Sequence, residues 1–293
     1  MAGSSPSPNC LMSSPTPTAA SSGPSAEGGY APVFFDELAA VEDRHFWFRA
    51  RNALLSRLIR RLTAGLQSGF YVLEPGCGTG NVLRYLKTSC PRGAVIGMDL
   101  YHEGLRHAHR RTGCPLVQGD MQKAPFKRQF EVVGMFDVLE HLSDDRQILR
   151  DLWTLLTPGG VLLLTVPAHM SLWSYFDESA HHCRRYEVQE LRTRLEEVGY
   201  QVEFLTQFMA CTYPLVWLNR KLSGFVAAPK SMAEKQRLSS NDVKIIPVLN
   251  GILSFLLHLE SRWVAAGHHL PLGTSILAVA RKPQIDSAIP VGK

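Results

Sequence analysis

The chain has no Cys-x-x-Cys pair, and its six cysteines are scattered over 293 residues. That excludes a disulfide scaffold and a zinc ribbon, and the thiols are expected to be reduced and intracellular. No Lys or Arg precedes Arg44, and residues 1–30 have neither a basic start nor an apolar run, so they read as neither a secretory signal nor a transit peptide. The longest apolar runs, 208–218 and 245–257, fall short of the roughly 18 residues that a spanning helix needs. The expectation is a cytoplasmic protein, either soluble or peripheral to a membrane. Charge is sparse: 19% of residues are charged and the net charge is +5. Without a basic, aromatic-interleaved stripe, this does not argue for nucleic acid.

Hydrophobic residues make up 45% of the chain, enough for a sizeable core. Residues 1–30 differ: Ser, Pro and Gly account for 17 of the 30, and Glu27 is the only charge, so this stretch is expected to be disordered. Residues 49–66 read as a helix with Leu54, Leu55, Leu58, Ile59 and Leu62 on one face. Strands are expected at 70–74, 94–99, 115–117, 130–136 and 161–166, the last preceded by a Thr157-Pro158-Gly159-Gly160 turn. Helices are expected between them at 81–88, 102–111 and 144–155, and a further helix at 187–198. This alternation indicates parallel βαβ units in an open α/β sheet. Two more strands, 201–207 and 276–281, enclose an apolar helical insertion at 208–273, and 283–293 reads as a frayed tail. The domain plan is a core over 31–207 with an N-terminal helical cap, the insertion, and a final strand at 274–282.

The strongest motif is Glu74-Pro75-Gly76-Cys77-Gly78-Thr79-Gly80, between a strand and a helix. It fits neither G-x-G-x-x-G nor a phosphate-binding P-loop. Three alternating glycines allow close backbone approach to a ligand and cost more chain entropy than a plain turn requires. Asp99 ends the second strand, 19 residues after Gly80, where a carboxylate can accept from both ribose hydroxyls; the alternative is a helix N-cap. Asp120 could accept from an adenine amino group with Met121 against the ring, again with an N-cap as the alternative.

Together with Phe136-Asp137-Val138-Leu139-Glu140-His141-Leu142 and Leu156-Thr157-Pro158-Gly159-Gly160, these motifs resemble those of the class I S-adenosylmethionine-dependent methyltransferases, over roughly residues 70–206. The Glu140-His141 pair resembles the branch that contains the ubiquinone-biosynthesis O-methyltransferases and other small-molecule enzymes. The resemblance implies a Rossmann-like seven-stranded sheet whose last strand is antiparallel, here with a helical insertion before that strand. It implies S-adenosyl-L-methionine as cofactor, with Glu74, Gly76, Gly78 and Gly80 at its amino-acid part. It places Asp99 at the ribose, Asp120 and Met121 at the adenine, and Phe136 and Asp137 at the methionine side.

Candidates for the acceptor side sit after the fourth and fifth strands. His141 is a candidate base, with a structural helix start as its alternative. His182, Arg184, Arg185 and Tyr186 match a His-x-Arg-Arg-Tyr element often found in such proteins. His182 could take a proton while Arg184, Arg185 and Tyr186 bind an anionic acceptor, or the segment could cap the next helix. A metal site from His169, His181, His182 and Cys183 lacks ligand spacing, so no metal is expected. His45-Phe46-Trp47-Phe48-Arg49-Ala50-Arg51-Asn52 suits either a lid or a helix anchor. The insertion, with Arg, Lys and Trp beside apolar runs, suits contact with a membrane surface, a pocket cap or a homodimer contact. The expected activity is O-methylation of a small or lipid-linked acceptor. The rival readings are a non-catalytic scaffold of the same fold and a nucleic-acid methyltransferase. The latter is disfavoured because Asp137-Val138-Leu139-Glu140 stands where an Asn/Asp-Pro-Pro-aromatic run would be expected, so no nucleic-acid partner is expected.

Overall fold

A computed structural model of the chain describes residues 32–223, 231–242 and 244–284. The 1–30 segment and most of the 283–293 tail lie outside the described residues. Two helices come first, α1 (Pro32–Val41) and α2 (Phe46–Thr63). The alternating part then runs β1 (Tyr71–Pro75), α3 (Asn81–Ser89), β2 (Ala94–Asp99), α4 (His102–Thr112), β3 (Leu116–Gln118), β4 (Phe130–Phe136), α5 (Asp145–Leu155) and β5 (Leu156–Pro167). After it come α6 (Tyr175–Ser179), α7 (Val188–Val198), β6 (Gln201–Phe208), α8 (Tyr213–Ser223), α9 (Met232–Asp242), α10 (Pro247–Ala265) and β7 (Ser275–Arg281).

The seven strands form one sheet in the order β3-β2-β1-β4-β5-β7-β6. The first five are parallel, and β7 runs antiparallel between β5 and β6. Alternation along the strands divides the core between two faces. Val72, Val132, Leu163 and Leu277 pack towards α2 and α3, whereas Leu73, Val133, Leu162 and Ile276 pack towards α5 and α7. The seven-stranded α/β architecture expected from the motifs is the one observed.

Most boundaries shift by a residue or so, and two elements start three or more residues earlier than the sequence reading had them. Helix α2 starts at Phe46 because the His45 ring caps it, Nδ1 accepting from the Trp47 N–H at 3.3 Å. Strand β5 starts at Leu156, and Thr157-Pro158-Gly159-Gly160 bulges out of it. Leu156 pairs with Phe130 and Val161 with Val132, while Gly159 takes φ +80°, the left-handed region that glycine tolerates.

The insertion leaves and returns at one point, because Phe208 pairs with Ser275 across β6 and β7. It folds back over the N-terminal helices. Asn250 Oδ1 accepts from the Phe46 N–H at 2.8 Å, Arg57 donates to Ser261 Oγ at 3.2 Å, and Arg61 donates to the Ala265 carbonyl at 2.7 Å. Helix α9 ties to α6 through Lys235–Glu178 at 2.5 Å and Ser179–Ser239 at 2.6 Å.

Behind the sheet ends, buried Asp145 gathers three donors. Tyr186 donates from its hydroxyl at 2.8 Å, Arg184 from its guanidinium at 3.1 Å, and Arg194 completes the set. Burial, reinforced by the Asp145 charge, pushes the Tyr186 hydroxyl well above its ordinary value, so it stays protonated and donating. Asp145→Ala would leave the buried Tyr186 hydroxyl unpaired and remove one of the two carboxylates that Arg194 pairs with. It should lower unfolding free energy by about 2–4 kcal/mol in urea titrations. A loss below about 1 kcal/mol would show that the cluster does not hold the β5–α7 connection.

Candidate active site

The carboxyl ends of β1, β2, β4 and β5 open into one cavity of about 1140 Å³, roofed by the N-terminal helices and the insertion. Ligands of open α/β sheets bind at this edge. The turn after β1 shapes its floor: Gly76, Gly78 and Gly80 all have positive φ, at 73°, 50° and 77°. A Cβ on Gly76 would overlap the Val138 side chain, and one on Gly80 would lie 2.8 Å from Ala108 Cα. A Cβ on Gly78 would meet nothing within 4 Å, so that glycine faces open space in the cavity wall.

Asp99 holds this turn from β2. Its Oδ2 accepts from the Gly78 N–H at 2.7 Å and its Oδ1 from the Tyr101 N–H at 2.9 Å, and lone-pair positions remain for a ligand diol. Burial raises the Asp99 carboxyl above its ordinary value, and the backbone donors oppose that rise. Asp120 caps a short 3₁₀ turn over Met121–Lys123, accepting from the Gln122 N–H at 2.9 Å, and both Asp120 and Met121 line the cavity.

Glu74 also lines the cavity. Burial holds its carboxyl well above the usual range against the opposing charge of Arg51, and Oε2 has no hydrogen-bond partner among the described residues. A buried polar atom left unmatched in a binding cleft points to a ligand donor. Arg51, on α2, is a residue that sequence reasoning missed. Its guanidinium is buried against Trp47 and Phe48, at 4.7 and 5.4 Å from their ring centres, and reaches Asp137 Oδ2 at 2.6 Å. Asp137 itself sits at φ +54°, a strained position of the kind that clusters at functional sites. By the helix period Arg51 falls on the same face as Leu54, Leu55 and Leu58, three, four and seven residues further on; a cation on that apolar stripe, inside an aromatic-Arg sequence, was the signal for a pocket.

The N-terminal helices also clamp the turn. Glu42 accepts from the Thr79 hydroxyl at 2.5 Å and pairs with Arg111, and Asn52 donates to Asn81 Oδ1 at 2.6 Å. His45, Phe46, Trp47 and Phe48 line the cavity while Leu54, Leu55 and Leu58 enter the core. Of the 45–52 segment, the aromatic residues and Arg51 face the cavity, and Ala50 and Asn52 are buried.

On the far wall, His182 Nδ1 lies 2.9 Å from Asp177 Oδ1, and its Nε2 is 3.9 Å from Glu140 Oε1. His141 packs edge-on against it, ring centres 4.7 Å apart. Burial, and next the His182 charge, push the His141 imidazole down to about 3, so it stays neutral. Burial alone would raise Asp177, but the His182 hydrogen bond and the Arg185 guanidinium outweigh it and hold the carboxylate below its ordinary value. Arg185 donates to Asp177 Oδ1 at 2.7 Å and to the Ala168 carbonyl at 3.1 Å, and it lines the cavity. Arg184 and Tyr186 are not brought to the cavity: both side chains turn to Asp145, where their role is structural. The four groups first weighed as metal ligands do not converge. Among the described residues, the donor atoms within 4.8 Å of one another are those of Glu140, His141 and His182.

A glycine turn held by a buried carboxylate, beside a cavity at the sheet's carboxyl edge, defines a nucleotide-binding protein of the doubly wound α/β class. Residues 47–204 match the methyltransferase-domain family, and the chain belongs to the class I S-adenosylmethionine-dependent methyltransferases. It is 30% identical over 172 residues to a probable S-adenosylmethionine-dependent methyltransferase of Mycolicibacterium smegmatis, covering 57% of this chain and 63% of that one. It is 29% identical over 174 residues to a malonyl-[acyl-carrier protein] O-methyltransferase of Enterobacter lignolyticus, covering 56% and 65%. The chain thus spans about three-fifths of the length of these curated relatives. Its fold matches Haemonchus contortus phosphoethanolamine N-methyltransferase 2, solved with S-adenosyl-L-methionine, with a TM-score of 0.54, 18% identity and coverage of 87% of this chain and 58% of that one.

The residues fit that cofactor. Asp99 would hold the ribose diol, Met121 and Leu100 would flank the base, and Gly78 leaves room at the turn. Glu74 Oε2 would take the ammonium, and Arg51 the carboxylate. Asp99→Ala removes two such acceptors at about 1 kcal/mol each, so S-adenosylhomocysteine should bind at least tenfold more weakly by calorimetry. Unchanged affinity in a folded variant would sink the ribose assignment. Arg51→Met should likewise weaken S-adenosylhomocysteine at least tenfold, while 5′-methylthioadenosine, which lacks the amino-acid part, binds wild type and variant alike. An equal loss for both ligands would make Arg51 a packing residue.

Proposed function

We propose that the chain transfers a methyl group from S-adenosylmethionine to a hydroxyl oxygen of a small or lipid-linked acceptor, with His182 as the base. The observation that carries this reading is the Asp177–His182 pair on the cavity wall, 2.9 Å apart. When bound, the cofactor supplies an electrophilic sulfonium methyl. The protein's task is then to align a nucleophile, exclude water and accept one proton.

Asp177 is built to hold His182. Ser174 donates its backbone N–H to Asp177 Oδ2 at 2.9 Å and Arg185 fixes Oδ1, so the carboxylate stays charged and in place. Accepting from Nδ1–H, Asp177 selects the tautomer whose Nε2 carries the lone pair, and it would stabilise the imidazolium formed when His182 takes the acceptor's proton. His141, held neutral by burial, is a poor base; it packs edge-on against His182. Arg185 then acts as a positioning residue. The apolar wall from Phe176, Leu215, Val216, Leu249 and Leu253 excludes water and favours an acceptor with apolar bulk. Similarity to an O-methyltransferase supports oxygen as the accepting atom.

With labelled cofactor and a lipid and metabolite extract as acceptor source, His182→Gln should lower turnover by about 10²- to 10⁴-fold while S-adenosylhomocysteine affinity stays near wild type. Retained turnover would refute the base assignment. No cofactor binding by the wild-type protein would favour the scaffold reading instead. Activity lost to a chelator and restored by a divalent cation would give Glu140, His141 and His182 to a metal ion and remove the proton-transfer role.

A further inference from the structure

Helix α10 has two unlike faces. Leu253, Leu257, Ser261 and Val264 are buried against α2 and the sheet. Across the helix, Val248, Ile252, Phe255, Leu259 and Trp263 follow at spacings of three and four, and their exposures are 75%, 54%, 64%, 49% and 54%. Leu215, Trp217 and Leu218 of α8 add further exposed apolar surface. A row of five large exposed apolar side chains along one helix face is more than the singly scattered exposure that needs no explanation.

The sole acid of α10, Glu260, is turned away, its two oxygens accepting from the Met209 and Cys211 N–H groups. Arg262 is exposed on the outer side of α10, and Lys244 is exposed just before it. Lys221 lies 5.8 Å from the Trp217 ring centre. The cavity reaches the same surface, because Leu215, Ile246 and Leu249 line it and are 49%, 61% and 42% exposed.

We infer that the α8–α10 face docks on an anionic lipid bilayer, lying in its interface with the cavity mouth towards the lipid. An amphipathic helix of this kind sinks its apolar face into the headgroup–acyl boundary, while cations at its rim meet anionic headgroups and Trp sits at the interface. Among the described residues, no helix is long and apolar enough to cross the membrane, which fits a helix lying flat. A second copy of the chain is the poorer occupant. Two-fold self-pairing would set Arg262, Lys221 and Lys244 against their own like charges and close both cavity mouths. Delivery of an apolar acceptor from the bilayer into the cavity rests on the methyl-transfer reading; the docking itself does not.

The test is flotation of the full chain with phosphatidylcholine vesicles and with vesicles containing phosphatidylglycerol, alongside sedimentation velocity. Wild type should float with the anionic vesicles and at least tenfold less with the neutral ones. Val248→Glu/Phe255→Glu and Lys221→Glu/Arg262→Glu should each reduce flotation at least tenfold, with S-adenosylhomocysteine affinity at the wild-type value as the check on folding. Absence of flotation by wild type, or flotation indifferent to either variant pair, would overturn the inference. So would a wild-type dimer that Val248→Glu/Phe255→Glu disperses without any vesicle binding, which would give the face to a second copy. Failure of S-adenosylhomocysteine to bind a protein that still floats would fault the cofactor reading and leave the docking intact.

Discussion

The hydrogen bond from the Gly78 N–H to Asp99 Oδ2, 2.7 Å long, is the constraint on which the site depends. It fixes a backbone turn of three left-handed glycines against the end of the neighbouring strand. The turn cannot carry side chains at Gly76 or Gly80, because Val138 and Ala108 occupy that space. With the turn set, the cavity floor lies where the sheet's parallel strands end, and the helix that follows, α3, begins at its edge. The N-terminal helices close on the same turn through Glu42, Thr79 and Asn52. Floor and roof are therefore coupled: a disturbance at the glycine turn reaches α2 and, through Asn250, the insertion.

Much of this was legible in the sequence because it is encoded locally. The strands at 94–99 and 130–136 have the bounds expected of them, since continuous apolar runs between turn residues admit little else. The glycine turn and Asp99 were legible because a ligand turn needs unusual residues at fixed positions. Asp120 shows that two readings of a residue need not compete, since it caps a 3₁₀ turn with one oxygen and still faces the cavity.

What escaped the sequence depends on long-range contacts. Arg51 and Asp137 are 86 residues apart, and no local pattern announces their pairing. Arg184, Arg185 and Tyr186 are consecutive, but the chain is extended there and sends neighbours to opposite sides. Arg185 goes to the cavity, and Arg184 and Tyr186 to buried Asp145. Composition identified an apolar insertion but could not say which residues would be covered. The fold answers this residue by residue: one side of α10 completes the roof against α2, and the other stays bare. The covered side lies over the cavity, and the bare side is the one proposed above to dock on a bilayer.

The two walls of the cavity divide the chemistry. Glu74, Arg51 and Asp99 form the polar wall suited to a charged nucleotide cofactor, and the His182 wall adjoins apolar residues of α8 and α10. A crystal structure with S-adenosylhomocysteine bound tests this arrangement most directly. The account predicts the ribose hydroxyls on Asp99, the amino-acid end between Glu74 and Arg51, and the sulfur facing the His182 side of the cavity. A ligand whose ribose makes no contact with Asp99, or whose sulfur faces away from His182, would contradict it.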